Sequence, residues 1–116
     1  MLDPEVEEGN KEYKRHLINL SDERYQKLIS QMKWRLREGD GIAYYYIGVN
    51  DDGTIYNLDS KEIKSSITTI KKTVLEIDAE VDKIERINIK NGFYFLITIK
   101  NKWLVKMYQE KRIILI

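Results

Sequence analysis

Cysteine is absent from this chain, and histidine and proline occur once each. Without cysteine there are no disulfides, zinc–thiolate sites or thiol nucleophiles, and the composition fits a reducing compartment. With His16 alone, no histidine pair can hold zinc, and any nucleophile–histidine–acid triad would have to use that residue. His16 has no suggestive neighbours and is expected to be an ordinary strand residue. Pro4 is the single proline, so no proline-rich linker divides the chain, and there is no internal repeat or low-complexity stretch. No run of about 18 apolar residues is present, so no bilayer span and no membrane partner are expected. Neither charge sign dominates: the formal net charge is +1. That gives no global pull towards nucleic acid, so any electrostatic contact has to be a local patch.

What is present fits one globular domain. The chain has 116 residues, 42% hydrophobic and 34% charged, enough to bury one core but not two. The opening "MLDPEVEEGNKEYK" is acidic and lacks the basic and apolar regions of a secretory signal. Residues 1–11 are expected to be a mobile acidic tail of a cytoplasmic protein.

"EYKRHLINL", Glu12 to Leu20, fits a first strand. Ser21 is a good N-cap, Asp22 and Glu23 suit the positive end of a helix dipole, and Gly39 sits where a C′ glycine belongs. Between them Tyr25, Leu28, Ile29, Met32 and Leu36 fall on one helical stripe. Trp34 projects to the opposite side with Lys27 and Arg37. "IAYYYIGV" and "TIYNL" flank Asp52-Gly53 and are expected to form a hairpin, with Ala43, Tyr45, Ile47 and Val49 on one face and Tyr44 and Tyr46 on the other. Asp59 and Glu62 form a capping-box pair ahead of a second amphipathic helix, about Ser60 to Asp78. "IERINIK" and "FYFLITIK" alternate around Asn91-Gly92, a type I′ hairpin dipeptide. "NKWLVKMYQEK" is ambiguous, and "RIILI" is a short apolar run of the kind found in buried strands.

The order β-α-β-β-α-β-β predicts an α+β two-layer sandwich. Two helices cover one face of a mainly antiparallel four- to five-stranded sheet, close to the ferredoxin-like split βαβ arrangement. If "TIYNL" only extends a turn, the order becomes β-α-β-α-β-β. The domain itself is expected over residues 12–110.

No stretch carries the spacing of a catalytic or metal motif. "NDDG" has the residues that hairpin tips choose for positive φ, without the distal ligands of a calcium loop. "GDGIAYYYIG" runs helix, glycines, strand, the reverse of a phosphate-cradling loop. Two surfaces remain. The first helix carries Arg24, Lys27, Lys33, Arg35 and Arg37 against Asp22, Glu23 and Glu38; Arg24, Lys27, Gln31, Trp34 and Arg37 form a candidate interaction surface. Basic residues around an exposed aromatic suit phosphate contacts with base stacking or a protein interface, or are simply a solvated face. Tyr44, Tyr46 and Tyr94 would line the helix-free sheet face, open for base stacking or covered by a neighbouring domain.

The segment "GNKEYKRHLINLSDERYQKLISQMKWRLREGDGIAYYYIGVNDDGTIYNLDSKEIKSSITTI" resembles the N-terminal region of the GTP-binding-protein group of eukaryotic translational GTPases, relatives of elongation factor 1-alpha. The likeness covers roughly Gly9 to Leu75. In that family a further stretch precedes the GTPase domain, whose first strand is an apolar run entering the phosphate-binding loop. "KRIILI" looks like that strand, and residues 111–116 are expected to fill that role; no G-x-x-x-x-G-K-[ST] loop lies within the sequence. "IYNL" replaces the family's more usual Gly-Leu ending, and Asp78 to Lys111 matches nothing in the family. The resemblance implies a parent GTPase that binds GTP and magnesium, with this chain as a non-catalytic accessory domain that holds no cofactor. Its partners would be the following GTPase domain and RNA or the ribosome. More weakly, "EYK" and "YIGVNDDGTIYNLDSKE" resemble the AlbA-like domain of Schlafen-type proteins, where an IGV-x-D-D-G hairpin occurs. That likeness implies an AlbA-like fold and a free-standing RNA-binding or protein-interaction module. Oligomeric state is left open.

Overall fold

The computed structural model describes residues 2–114. Its elements are β1 (Lys11–Lys14), α1 (Asp22–Glu38), β2 (Ile42–Ile47), α2 (Ser60–Glu76), β3 (Ala79–Ile89), β4 (Gly92–Asn101) and α3 (Lys102–Ile114). The four strands form one sheet in the order β1-β2-β4-β3. β1 runs parallel to β2, and the other pairs are antiparallel. The architecture is the α+β arrangement expected. Because β1 and β2 are direct neighbours, however, no strand splits the βαβ unit as in the ferredoxin-like order.

α1 and α2 form for the local reasons visible in the sequence. The Arg24 N–H donates to the Ser21 hydroxyl at 3.2 Å, capping α1. In α2 the Glu62 N–H donates to Asp59 at 2.8 Å while the Asp59 N–H donates to Glu62 at 3.0 Å, a complete capping box. Their apolar stripes meet the inner face of the sheet: Leu28, Met32, Leu36, Ile70 and Val74 pack on Ala43, Tyr45, Ile47, Ile97 and Ile99. β2 alternates half-buried and buried along its whole length, as a strand with one face on a core must.

Five details depart from the expectations. β1 is four residues long, not nine, because the backbone leaves the sheet to dock on α2. There the Leu17 N–H donates to the Ser66 hydroxyl at 2.9 Å and the Thr69 hydroxyl donates to the Leu17 carbonyl, also at 2.9 Å. "TIYNL" makes no ladder; Val49 and Ile55 form a lone bridge, so the shorter element order holds, with α3 added. The β3–β4 hairpin turns at Lys90 and Asn91, since Ile89 already pairs with Gly92, and neither turn residue has the positive φ of a type I′ turn. After α1 the positive φ values fall on Asp40 and Gly41. Gly39 is required instead for space, since a Cβ there would sit 1.9 Å from the Ile42 carbonyl oxygen.

The fifth departure is α3. It takes up the ambiguous segment and continues to Ile114, so the strand expected over 111–116 is helix through 114, and the end of that expectation, 115–116, lies outside the described residues. The segment contains no glycine or proline and is rich in good helix formers. Leu104, 9% exposed, anchors it in the core, and the Lys102 N–H donates to the Asp78 carbonyl at 3.1 Å.

Candidate functional site

Where β1 ends, Lys14, Arg15 and His16 run along the edge of the sheet opposite the first half of α1. Two adjoining hollows open there, of about 590 Å³ and 290 Å³, sharing Lys14, His16 and Arg24. Asn50, Asp51 and Asp52 of the turn after β2 close one end. Lys27, Gln31 and the apolar floor of Leu17, Leu20 and Leu28 close the other. The result is one groove with a cationic rim and a partly apolar base.

The rim is held in place from several elements. The Arg15 Nε donates to Asn50 Oδ1 at 3.0 Å and its guanidinium lies 5.6 Å from the Tyr56 ring centre. Tyr56 also meets His16 edge-on at 5.6 Å, and its hydroxyl donates to Glu62 at 2.6 Å. That bond to a carboxylate, with some burial, holds the phenol above its ordinary pKa. Lys14 pairs with Glu12 at 3.6 Å, and Lys27 with Glu23, one turn earlier on the exposed helix surface, at 3.6 Å. Arg24 has no ion pair among the described residues. At the acidic end, the Thr54 hydroxyl and N–H both donate to Asp52 and hold its carboxyl below the usual range. His16 Nδ1 and Gln31 Oε1 are buried without a partner among the described residues.

Three of the five residues expected to form an interaction surface, Arg24, Lys27 and Gln31, therefore share the groove. Trp34 stands on the outer ridge, 38% exposed, with the Arg35 guanidinium 4.8 Å from its ring centre. Arg37 lies on the far flank of α1, beside Lys33, Asp40 and Trp103. Arg35, counted among the surface cations, is buried at 3% exposure. Its flank of the helix faces Glu12 on the inner side of β1, and their pairing makes the burial tolerable.

Of the tyrosines, Tyr46 stacks on Tyr94 at 5.7 Å and meets Tyr13 at 5.1 Å, while Tyr44 is half-buried and outside that cluster. Tyr13 and Tyr94 are themselves buried, and Leu2 packs against the cluster. The cover is the chain's own acidic segment, not a mobile tail. The Tyr13 hydroxyl donates to the Asp3 carbonyl at 2.8 Å, the Tyr13 N–H to the Glu5 carboxylate, and the Glu5 N–H to the Asp51 carbonyl at 2.7 Å. The segment crosses Gly53 so closely that a Cβ there would lie 2.1 Å from the Leu2 carbonyl oxygen.

Sequence reasoning does not single out Lys14, Arg15, His16 and Tyr56 as a site. The triplet "KRH" is the available signal, but a strand running on to Leu20 would alternate those side chains across two faces. Among the described residues no three of His, Cys, Asp and Glu gather as a metal site, and no helix is long and apolar enough to cross a membrane.

Comparison with known proteins gives the chain relatives. It is 44% identical over 80 residues to GTP-binding protein 2 of Mus musculus and of Homo sapiens, a stretch that is 69% of this chain and 13% of each relative. It is 39% identical over 82 residues to an uncharacterized protein of Acanthamoeba polyphaga mimivirus, covering 44% of that protein. It is 34% identical over 65 residues to GTP-binding protein 1 of Xenopus laevis, covering 10% of it. The chain is thus a homologue of a segment of these GTP-binding proteins, and it spans a small part of their length. No family model matches the chain, and no solved structure matches it.

Proposed function

We propose that this chain is an accessory domain of a cytoplasmic GTP-binding protein of the elongation-factor-like translational class, lying ahead of the GTPase domain, and that it contacts RNA, free or in the ribosome, through the basic groove. The observation that carries this reading is the size of the match. Identity of 44% over 80 residues is confined to 13% of GTP-binding protein 2, which is the signature of one module in a longer protein. In this reading GTP and magnesium belong to the parent's phosphate-binding loop, and residues 1–116 hold neither and catalyse nothing themselves.

RNA is the partner the groove supports. Lys14, Arg15, Arg24 and Lys27 place four cations along the two adjoining hollows of the groove, and phosphate contacts of this kind position nucleic acid without reading its sequence. The reading is tested by fluorescence anisotropy of a labelled single-stranded RNA with the chain and with Arg24→Glu/Lys27→Glu. Binding to the parent chain that falls steeply with salt, and at least about tenfold weaker binding to the variant, is the expected result. Equal binding by both proteins removes the groove from the account.

A second reading, a free-standing RNA-binding or protein-interaction module with an AlbA-like fold, has one observation in its favour. The matched stretch makes up 44% of the mimivirus relative, so the module occurs in a much shorter protein than GTP-binding protein 2. Sequencing the native product decides between them: a strand and a G-x-x-x-x-G-K-[ST] loop downstream of Ile116 support the GTPase parent, and a product without them supports the module.

A further inference from the structure

The basic surface of α1 does not stop at the groove. On the opposite flank a third hollow, of about 440 Å³, is lined by Lys33, Arg37, Asp40, Gly41 and Trp103, among others. Trp103, at the start of α3, is 52% exposed although its indole reaches over Gly41. Between the groove and this hollow stands the outer ridge of α1 with Lys27 and Trp34. At about 100° per residue, Arg24, Lys27, Trp34 and Arg37 step round the helix in one direction as they climb it. They mark a diagonal from the groove, over the ridge, to the Trp103 hollow, with a helical rise of roughly 20 Å.

The chain has two tryptophans, and both stand exposed on this diagonal. Trp34 remains 38% exposed with the Arg35 guanidinium 4.8 Å from its ring centre. A line of cations interrupted by flat exposed aromatics matches a flexible polyanion that also carries flat rings, since every base has a face to stack.

We propose that single-stranded RNA crosses α1 along this diagonal, from the Arg24–Lys27 groove to the Lys33–Arg37 hollow, with bases stacked on Trp34 and Trp103. This rests on the RNA reading of the groove and extends it to a track of several nucleotides with two stacking platforms. Duplex RNA does not fit it, because paired bases offer no free faces to the indoles.

The test uses the full 116-residue chain and single-stranded RNAs of roughly eight and roughly two nucleotides. Tryptophan emission and the anisotropy of a 5′-labelled RNA are followed together. With Trp34→Phe only Trp103 reports, and with Trp103→Phe only Trp34 reports. The expected result is quenching in both variants on binding the longer RNA, and at least about tenfold weaker binding of the dinucleotide, which reaches only part of the cation line. Labelling the unmutated chain with 5-fluorotryptophan checks the same point without substitution: both fluorine resonances shift. If anisotropy reports binding while Trp103 keeps its emission and its resonance, the RNA stays in the groove and the diagonal track is wrong, although the RNA reading survives. If no RNA changes the anisotropy, both fall together.

Discussion

The Arg35 Nε donates to the Glu12 carboxylate at 2.7 Å, with both side chains 3% exposed. The rest of the guanidinium turns the other way: its terminal nitrogens donate to the carbonyls of Val6, Glu8 and Gly9 at 3.1, 3.2 and 2.9 Å. One side chain of α1 thereby joins an inner-face residue of the edge strand to the segment that straps the outer face. Planar, five-donor geometry is needed for this, which lysine lacks.

Arg35→Lys is therefore expected to behave much like Arg35→Ala. Either loses the Nε bond and the three carbonyl bonds that hold the guanidinium in place, leaving the buried Glu12 carboxylate with Lys14 at 3.6 Å, and breaking one side of a buried pair costs about 3–5 kcal/mol. Urea unfolding monitored by circular dichroism measures it. A variant Arg35→Lys within about 1 kcal/mol of the parent would show that the carbonyl contacts contribute little.

The strap carries its own pH dependence. Burial raises the Glu5 carboxyl to about 7; the Tyr13 N–H partly opposes this, while Glu12 and Asp51 reinforce it. Asp3 on the strap, Lys14 on β1 and Arg35 on α1 are the other charges around this junction. A folded-state pKa above the unfolded value of 4.5 means that the contribution to stability is complete below about pH 4.5 and is lost as pH rises through about 7. Amide exchange at Tyr13, corrected for its intrinsic pH dependence, should therefore accelerate between pH 5 and pH 8. Glu5→Gln should flatten that profile. A flat profile in the parent would mean that Glu5 titrates as a free carboxylate.

How much of this could be foreseen follows from the range of each interaction. α1, α2 and β2 are written in local periodicity and caps, and the residues Ser21, Asp59 and Glu62 act within three positions of their partners. Arg35 is different. On the helix it borders the apolar stripe, where a long cation ordinarily snorkels outward; only the parallel placement of β1 beside β2, which turns Glu12 inward, makes it a buried residue. The hairpin turn shows the same limit. Asn91-Gly92 is a strong local signal, but the ladder that pairs Ile89 with Gly92 moves the turn back by one residue. The groove was half legible: Arg24, Lys27 and Gln31 follow from the helical wheel. Lys14, Arg15 and His16 join them because Leu17 leaves the sheet for Ser66 and Thr69, about 50 positions away in the chain.

The α2 cap offers a smaller and cleaner effect. Asp59→Ala removes the acceptor for the Glu62 N–H while leaving the Tyr56–Glu62 bond available. A loss of about 1 kcal/mol is expected, seen as a lower urea midpoint at unchanged slope. A changed slope would show that the cap also governs the loop carrying Tyr56.

Ser66 links the core to the groove most directly. It is fully buried on α2, and its hydroxyl accepts from the Leu17 N–H at 2.9 Å, the bond that draws the chain off β1 and sets Lys14, Arg15 and His16 opposite Arg24. Ser66→Ala leaves that N–H unpaired, at a cost of about 1–3 kcal/mol, while Thr69 still holds the Leu17 carbonyl. The domain should remain folded with the loop loosened. RNA affinity should then fall with little change in its salt slope, because the cations are all present and only their arrangement is disturbed. Arg24→Glu/Lys27→Glu should instead reduce the slope itself. If Ser66→Ala lowers stability and leaves affinity untouched, the groove's cations act as independent charges on a surface, and the geometry at the end of β1 has no part in binding.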